Sequence, residues 1–523
     1  MAILDHRGRP FSTAPSRGAS RPQFYQRLRA YYDAARTTDE NERHWANADA
    51  LSADAAASPI VRQKIRIRAR YEAQQSNSFM KGLVLRLANE AIGVGPRLQL
   101  LTNDPDFNTF VEQQFAAWMR ATFYARKLRT GRIARAVDGE RFALLTHDEN
   151  LPTPVKLNVQ VVECDRVRSP LSHLGLEDDG VVDGVRLRSG DEPEAYWFTD
   201  RHPGDLHYRP ERGRWIPADR VIHRFRHDRP GQTRGVSELA PALPLVAMLR
   251  RYTLAALAAA ETAADFAAVL ESDLPPDEQA ETLGRDDWFD AIPVEYRAML
   301  TLPQGYKLSQ LKAEQPTTGY KEFKREIQNE IACCVLMPRN VSTGDSSDYN
   351  YASGRLDKQA FERAIDIDRQ DEEIEDVDRV FREWFSEARV VGFADGAPGY
   401  AEFFPDGAAT PFPPHRWFWQ APKHVDPDKE ARAAVRLWEA GLLTDDEYLF
   451  REGVDPDEHY LKLAEQIKKR RELGLPLPGG ITLPPGATPA QQAVAAANSR
   501  PVRDHADIPD LWRDAEERAI NAD

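Results

Sequence analysis

The chain has 523 residues, more than one ordinary core holds and enough for two or three. Asp and Glu number 83 against 69 Lys and Arg, a net charge of −14. That excludes a broad basic surface wrapped in DNA and leaves only local contact with nucleic acid. Three cysteines, Cys164 and the adjacent Cys333 and Cys334, form neither a disulfide framework nor a metal-finger spacing, and fit assembly in a reducing compartment.

Residues 1–22, rich in Arg, Ser, Pro and Gly, read as a flexible arm without the apolar run of a signal peptide. Two helices are expected over 59–92. The first, Pro59 to Gln75, carries Arg62, Lys64, Arg66, Arg68 and Arg70; the second starts after Ser76–Asn77–Ser78 and stops at Gly93. Another follows Asp104–Pro105 and runs to about Ala121. From 138 to 225 short β-prone runs ("RFALLTH", "VKLNVQVVE", "EAYWF", "RVIHRF") alternate with turn signals, which predicts an antiparallel sheet and an α+β domain.

The stretch "FRHDRPGQTRGVSELAPAL" is a basic turn feeding an alanine-rich helix. The helix starts near Pro244, with Ser237 as a cap, and nothing breaks it before Glu271. Arg250, Arg251, Glu261 and Asp265 make it a poor membrane span. Residues 272–316 read as irregular with a hairpin around "MLTLPQGYKL", 317–336 as helix, 337–353 as a polar loop and Gly354–Phe385 as a long charged helix. Three capped helices follow. Asp426–Pro427 opens the first and Gly441 stops it; Thr444 and Glu447 open the second, stopped at Gly453; Asp455–Pro456 opens the third, stopped at Gly474. Residues 475–523 read as a largely disordered tail.

Common catalytic motifs are absent: the sequence has no GxxxxGK[ST], HExxH or GxSxG. Three features could carry chemistry. The acidic run "DIDRQDEEIEDVD" (366–378) could hold a divalent metal, but its interleaved arginines and the Glu375–Arg379 spacing favour a solvated helix face. His223 and His227 could share a metal, but "RVIHRF" is strand-like, so packing or surface roles are expected. Cys333 and Cys334 lie in "EIACCVLM" and read as buried and inert. Arg62–Arg70 reads as a solvated face or as salt bridges to a neighbouring subunit, ahead of nucleic-acid contact.

Four segments together resemble the lambda-type portal proteins of tailed phages. They are "RIRARYEAQQSNSFMKGLVLRLANEAIGVGPRLQ", "RVIHRFRHDRPGQTRGVSELAPAL", "STGDSSDYNYASGR" and "WQAPKHVDPDKEARA", in the family's order. The resemblance implies an α+β ring subunit with a mixed α/β wing (23–236), a stem helix (237–271), a small α/β clip (272–316) and a returning stem helix (317–336). A channel loop (337–353), a wing helix with its following segment (354–415) and a helical crown (416–474) complete it. It implies a ring of typically twelve copies at one capsid vertex, through which double-stranded DNA enters and leaves, assembled in the host cytoplasm without membrane or cofactor. The implied partners are the terminase large subunit, a head-completion or tail-adaptor protein and the major capsid protein. Arg226, Arg229, Gly231, Arg234 and Gly235 would form the wing-to-stem turn. Arg339, Asn340, Ser342, Thr343, Asp345 and Ser346, with Tyr349 and Asn350, would face DNA. Asp286, Asp287, Trp288, Glu295 and Tyr296 would meet the motor. Two other readings stand beside it: a metal-dependent nucleic-acid enzyme using 366–378, and a cytosolic scaffold that forms no ring.

Overall fold

The computed structural model describes residues 38–39, 41–170, 180–189, 192–209, 212–265, 269–272, 306–309, 319–347, 349–394, 412–421 and 427–475. The N-terminal arm, the C-terminal tail and the motor-contact candidates Asp286, Asp287, Trp288, Glu295 and Tyr296 lie outside these residues.

After two short helical turns, Glu42–Trp45 and Ala53–Ala56, come four longer helices: α1 (Pro59–Arg70), α2 (Ser78–Ile92), α3 (Pro105–Ala121) and α4 (Tyr124–Asp138). α1 runs on into a π-helical turn, Tyr71–Ser76, and the Asn77 side chain then accepts from Phe79 N and Met80 N to start α2. Asp104 does the same for α3. Met80, Leu83, Leu87 and Ala91 of α2 recur on one face and are buried, with Phe115 and Trp118 of α3, in the main core.

The sheet region is antiparallel throughout, as its alternation predicts. β2 (Glu140–His147) is flanked by β3 (Leu157–Val162) and β8 (Val221–Phe225). A second sheet runs β4 (Val181–Val182), β5 (Val185–Leu187), β6 (Pro193–Thr199) and β7 (Gly213–Pro217). The two share a small core around Phe142, Tyr196 and Phe198.

After β8 the chain makes the basic turn. Ser237 Oγ donates to Ala136 O at 3.0 Å and accepts from Leu239 N at 3.2 Å, and α5 spans Leu243–Asp265. The helix is shorter than expected: Val269–Ser272 is a strand, β9, paired with β10 (Tyr306–Ser309). A partner more than thirty residues away overrides the local helix propensity there. The rest of the expected hairpin around "MLTLPQGYKL" lies outside the described residues.

α6 spans Gly319–Cys333. The polar loop after it is partly helical, with a turn at Arg339–Thr343. The long helix starts earlier than Gly354. Asn350 and Ser353 form a capping box for α7 (Tyr351–Glu372), which passes through a π-helical stretch, Glu373–Val377, into α8 (Asp378–Ala394). β11 (His415–Phe418) pairs with β1 (Arg97–Leu100), so this segment returns to the N-terminal helices. α9 spans Pro427–Glu439, its expected cap Asp426 lying outside the described residues; α10 (Asp445–Arg451) and α11 (Pro456–Glu472) start at Thr444 and Asp455, whose side chains accept from Glu447 N and Glu458 N. Phe450 packs on Phe418 at 4.8 Å, joining them to that strand.

Gly235 crosses Gly139 with no room for a side chain. A Cβ on Gly235 would stand 2.2 Å from Gly139 O, and one on Gly139 would stand 2.3 Å from Val236 C. Gly235→Ala is therefore expected to cost about 2–4 kcal/mol in a denaturant melt. Gly231→Ala, at φ +73° in open space, should cost only about 1–2 kcal/mol. Equal melting of Gly235→Ala and the parent would contradict the close crossing.

Candidate functional site

The base of α5 is built on buried ion pairs. Glu140, fully buried at the start of β2, accepts from Arg234 Nη2 at 2.6 Å and Nε at 2.8 Å, from Arg66 Nη2 at 3.0 Å and from Gly235 N at 3.0 Å. His223 Nε2 stands 3.1 Å from its other oxygen, and the ring stacks on Phe142 at 4.1 Å. Arg62 pairs with Asp183, and Arg70 reaches Asp138 and Asp165 at 2.6 and 2.7 Å. Arg62 and Arg66 are thus buried and Arg70 half-buried, all paired within the chain, which corrects the expected solvated face or neighbour contact. Their i, i+4, i+8 spacing puts them on one side of α1, while Lys64 and Arg68 stay exposed.

A second group ties α4 to α5 and α7. Glu238 accepts from Arg132 Nη2 at 3.1 Å and Arg135 Nε at 3.0 Å, and Asp368 takes the other side of both arginines, at 2.7 Å from Arg132 Nε. Further along, Arg141 meets Glu372 at 3.0 Å and Asp376, and Tyr124 OH donates to Asp376 at 2.5 Å. Arg224 holds Glu372 and Glu375 at 3.4 and 2.6 Å.

So the acidic run is a solvated face only in part: Asp366 and Asp371 are exposed. Asp368, Glu372 and Asp376 form a stripe turned into the protein, and arginines fill the oxygens a metal would need. Glu375 pairs with Arg224, and Arg379 donates instead to Ala218 O and Asp219 O. Among the described residues no group of three or more His, Cys, Asp or Glu is placed to hold a metal. The cysteine expectation also needs correction: Cys333 is exposed and Cys334 half-buried, because the helix turns Ile331 and Ala332 inward instead.

Within the turn, Arg234 and the Gly235 amide enter the network. Arg226 is exposed and pairs with Asp228 at 2.6 Å, and Arg229 donates to Leu51 O at 2.9 Å. The segment 337–353 is held by its own bonds. Val341 O accepts from Arg86, and the Arg339 guanidinium lies over the Tyr349 ring at 5.2 Å. Asn340 Oδ1 accepts from Val341 N, and Thr343 Oγ1 donates to Arg339 O at 2.8 Å. Ser342 is buried, its hydroxyl donating to Arg339 O at 3.0 Å. Asp345 accepts from Ser347 and Arg325, which pull its carboxyl down to about 2. Ser346 is exposed, its carbonyl accepting from Tyr349 N at 3.1 Å, and Asn350 is the cap of α7.

α5 is partly buried. Leu243, Val246 and Leu249 are buried in the main core, and Tyr252 packs on Tyr320 and Phe323 of α6 at 5.7 and 5.0 Å. Met248, Leu254 and Leu257 of the same helix are each more than half exposed. Leu243–Glu261 has a mean hydropathy of 1.3, enough by length and composition to cross a membrane, and only 11% of it is buried. Its buried first turns, the Arg250–Arg251 pair near its middle and the bond from Arg250 Nη1 to Ser76 O at 3.0 Å oppose that role.

The model of the phage portal protein, lambda family, matches residues 39–369. The chain is 26% identical over 404 residues to the probable portal protein of Halomonas phage phiHAP-1, covering 73% of this chain and 74% of that protein. It is 23% identical over 387 residues to portal protein B of Escherichia phage lambda, covering 69% and 71%. A chain in the neck of a native gene transfer agent particle, computed with C12 symmetry, is 14% identical over 75% of this chain and 94% of that one, with a TM-score of 0.42. The chain belongs to the lambda family of phage portal proteins, structural components of the virion at the head–tail connection. Sequence reasoning found this family but missed Glu140, Glu238, Arg132, Arg135, Arg141 and Arg224, the groups that hold its parts together.

Burial alone would raise Glu140 and Glu238; the Arg234 guanidinium reverses this for the first, and Arg132 and Arg135 for the second, so both lie below the ordinary value of 4.5. Burial lowers His223 below 6.5 against the opposing Glu140 bond. In each case the unfolded chain binds protons more readily than the folded one. Stability is therefore expected to decline below pH 6.5 as unfolded His223 charges, and more steeply below 4.5. Asp138, which burial pushes up, works in the opposite sense and blunts the slope. Glu140→Gln should cost about 3–5 kcal/mol at pH 7 by stranding Arg234 and Arg66, and should flatten the acid limb. A parent whose melting temperature is level from pH 7 to 4 would contradict this.

Proposed function

We propose that the chain is the subunit of a closed ring, typically of twelve copies, at one capsid vertex, with double-stranded DNA passing along the axis. The single observation that carries this is the exposure of Met248, Leu254 and Leu257 on α5, a helix whose first turns are locked in the core. Bare leucines on a fixed helix need a cover, and small alanines beside them permit the close approach of another helix. Family membership makes that cover a copy of the same chain, joined head to tail around an axis. In this reading α5 and α6 are the stem, the sheets and α1–α4 with α7 and α8 the wing, and α9–α11 the crown.

The segment 337–353 is the channel loop. Arg339, Asn340, Thr343, Asp345, Ser346, Tyr349 and Asn350 are its candidates for meeting DNA, and buried Ser342 acts as its support. Net acidity suits a conduit, because tight phosphate contact would slow sliding. The terminase large subunit docks on the clip during filling, a head-completion or tail-adaptor protein follows, and the major capsid protein surrounds the wing. No cofactor or catalytic group is required.

A bilayer is the second possible cover, because α5 has the length and hydropathy for one. Light scattering on the purified chain decides between them. The ring predicts about twelve times 59.1 kDa without lipid, and no flotation with vesicles. Leu254→Glu should lower the ring fraction at least about tenfold by placing a charge in the contact. A 59.1 kDa particle that floats with vesicles would overturn the ring. For the loop, Arg339→Glu should change the amount of DNA packaged or retained with the ring intact, and unchanged filling would remove Arg339 from that role.

A further inference from the structure

Two helices of this chain are turned inside out. α1 buries Arg62 and Arg66 and shows solvent Ile60, Val61 and Ile67, with Ile60 66% and Ile67 59% exposed. Exposed Lys64 and Arg68 lie among them, so this outward face is apolar and basic. α7 and the π-helical stretch after it bury Glu372 and Asp376, turn Asp368 inward, and show Ile367 and Ile374, 58% and 60% exposed. Exposed Asp366 and Asp371 flank these isoleucines, Asp366 only loosely paired with Arg369 at 3.8 Å. One cation, Arg363, lies a turn before Ile367. This second face is apolar and acidic.

We propose that these two faces are the halves of one contact between neighbouring copies of the chain: α1 of one copy lies against the Asp366–Ile374 face of the next. Charge supports the match, since each isoleucine pair carries flanks opposite in sign to the other's. Placement supports it too. α4 and the start of β2 lie between the helices: α1 reaches them through Arg66 to Asp138 O and Glu140, and α7 reaches α4 through Asp368 to Arg132 and Arg135. The outward faces lie on the sides of α1 and α7 remote from these anchors. Two different faces of one chain that meet between copies make a head-to-tail contact, the kind that closes into a ring. The buried ion pairs explain the inversion, because arginines and carboxylates used inside each helix leave its isoleucines outside.

This contact rests on the ring reading above, and its test separates the two. In the full chain, Lys64→Glu with Arg68→Glu should lower the ring fraction at least about tenfold through like charges, with the melting temperature unchanged. Adding Asp366→Lys and Asp371→Lys should restore the rings. In a Cys333→Ser background, Ile67→Cys with Ile374→Cys should give on oxidation a ladder of covalent multimers on a denaturing gel. Leu206→Cys with Ile374→Cys, placing one thiol on an exposed turn outside the contact, should give none. Rescue with a ladder supports the contact. Parent rings that persist through charge reversal, or that give no ladder, overturn this contact and leave the ring standing. A parent chain that stays single in solution overturns the ring, and this contact with it.

Discussion

The Glu140 carboxylate is the point on which the rest depends. It receives a guanidinium from α1, another from the basic turn, a backbone amide from the same turn and a histidine from β8. Displacing any one of these elements would break at least one of these contacts. Buried ion pairs add little net stability over apolar packing, since desolvation offsets their attraction, but breaking one strands a charge. Their effect here is geometric. Arg234 and Gly235 fix where the turn leaves the sheet, and Glu238, gripped by Arg132 and Arg135, fixes the direction in which α5 departs.

A rigid base has a consequence for the surface. α5 is held at one end in the core, and Met248, Leu254 and Leu257 along it stay bare. α1 and α7 spend their charged sides inside and present isoleucines outward. The subunit alone thus leaves apolar surface uncovered, which the proposed ring would bury. A structural component of the virion fits such a molecule, since among the described residues Asp368 and Asp376 of the acidic run are bound to arginines.

Local signals in the sequence were dependable. Asn77, Asp104, Thr444 and Asp455 cap helices as their side chains require, because a cap needs only neighbours three residues away. The antiparallel sheet region followed from alternation and turns. Non-local pairing was not legible. The strand at Val269–Ser272 depends on Tyr306–Ser309, so helix propensity alone carried α5 too far. Arg62, Arg66 and Arg70, and Asp368, Glu372 and Asp376, each form a stripe of three residues spaced four apart, yet each resembles a solvated face until its partners are seen. Their partners lie on α4, β2 and β8, up to hundreds of residues away. The family was readable from ordered motifs, while the ionic frame beneath those motifs was not.

The most direct test is electron microscopy of the purified chain at a resolution that places side chains. The account predicts a closed ring in which Met248, Leu254 and Leu257 lie against a neighbouring subunit and Arg234 remains on Glu140 inside each wing. Particles without an axis, or rings in which those three side chains stay bare to solvent, would contradict it.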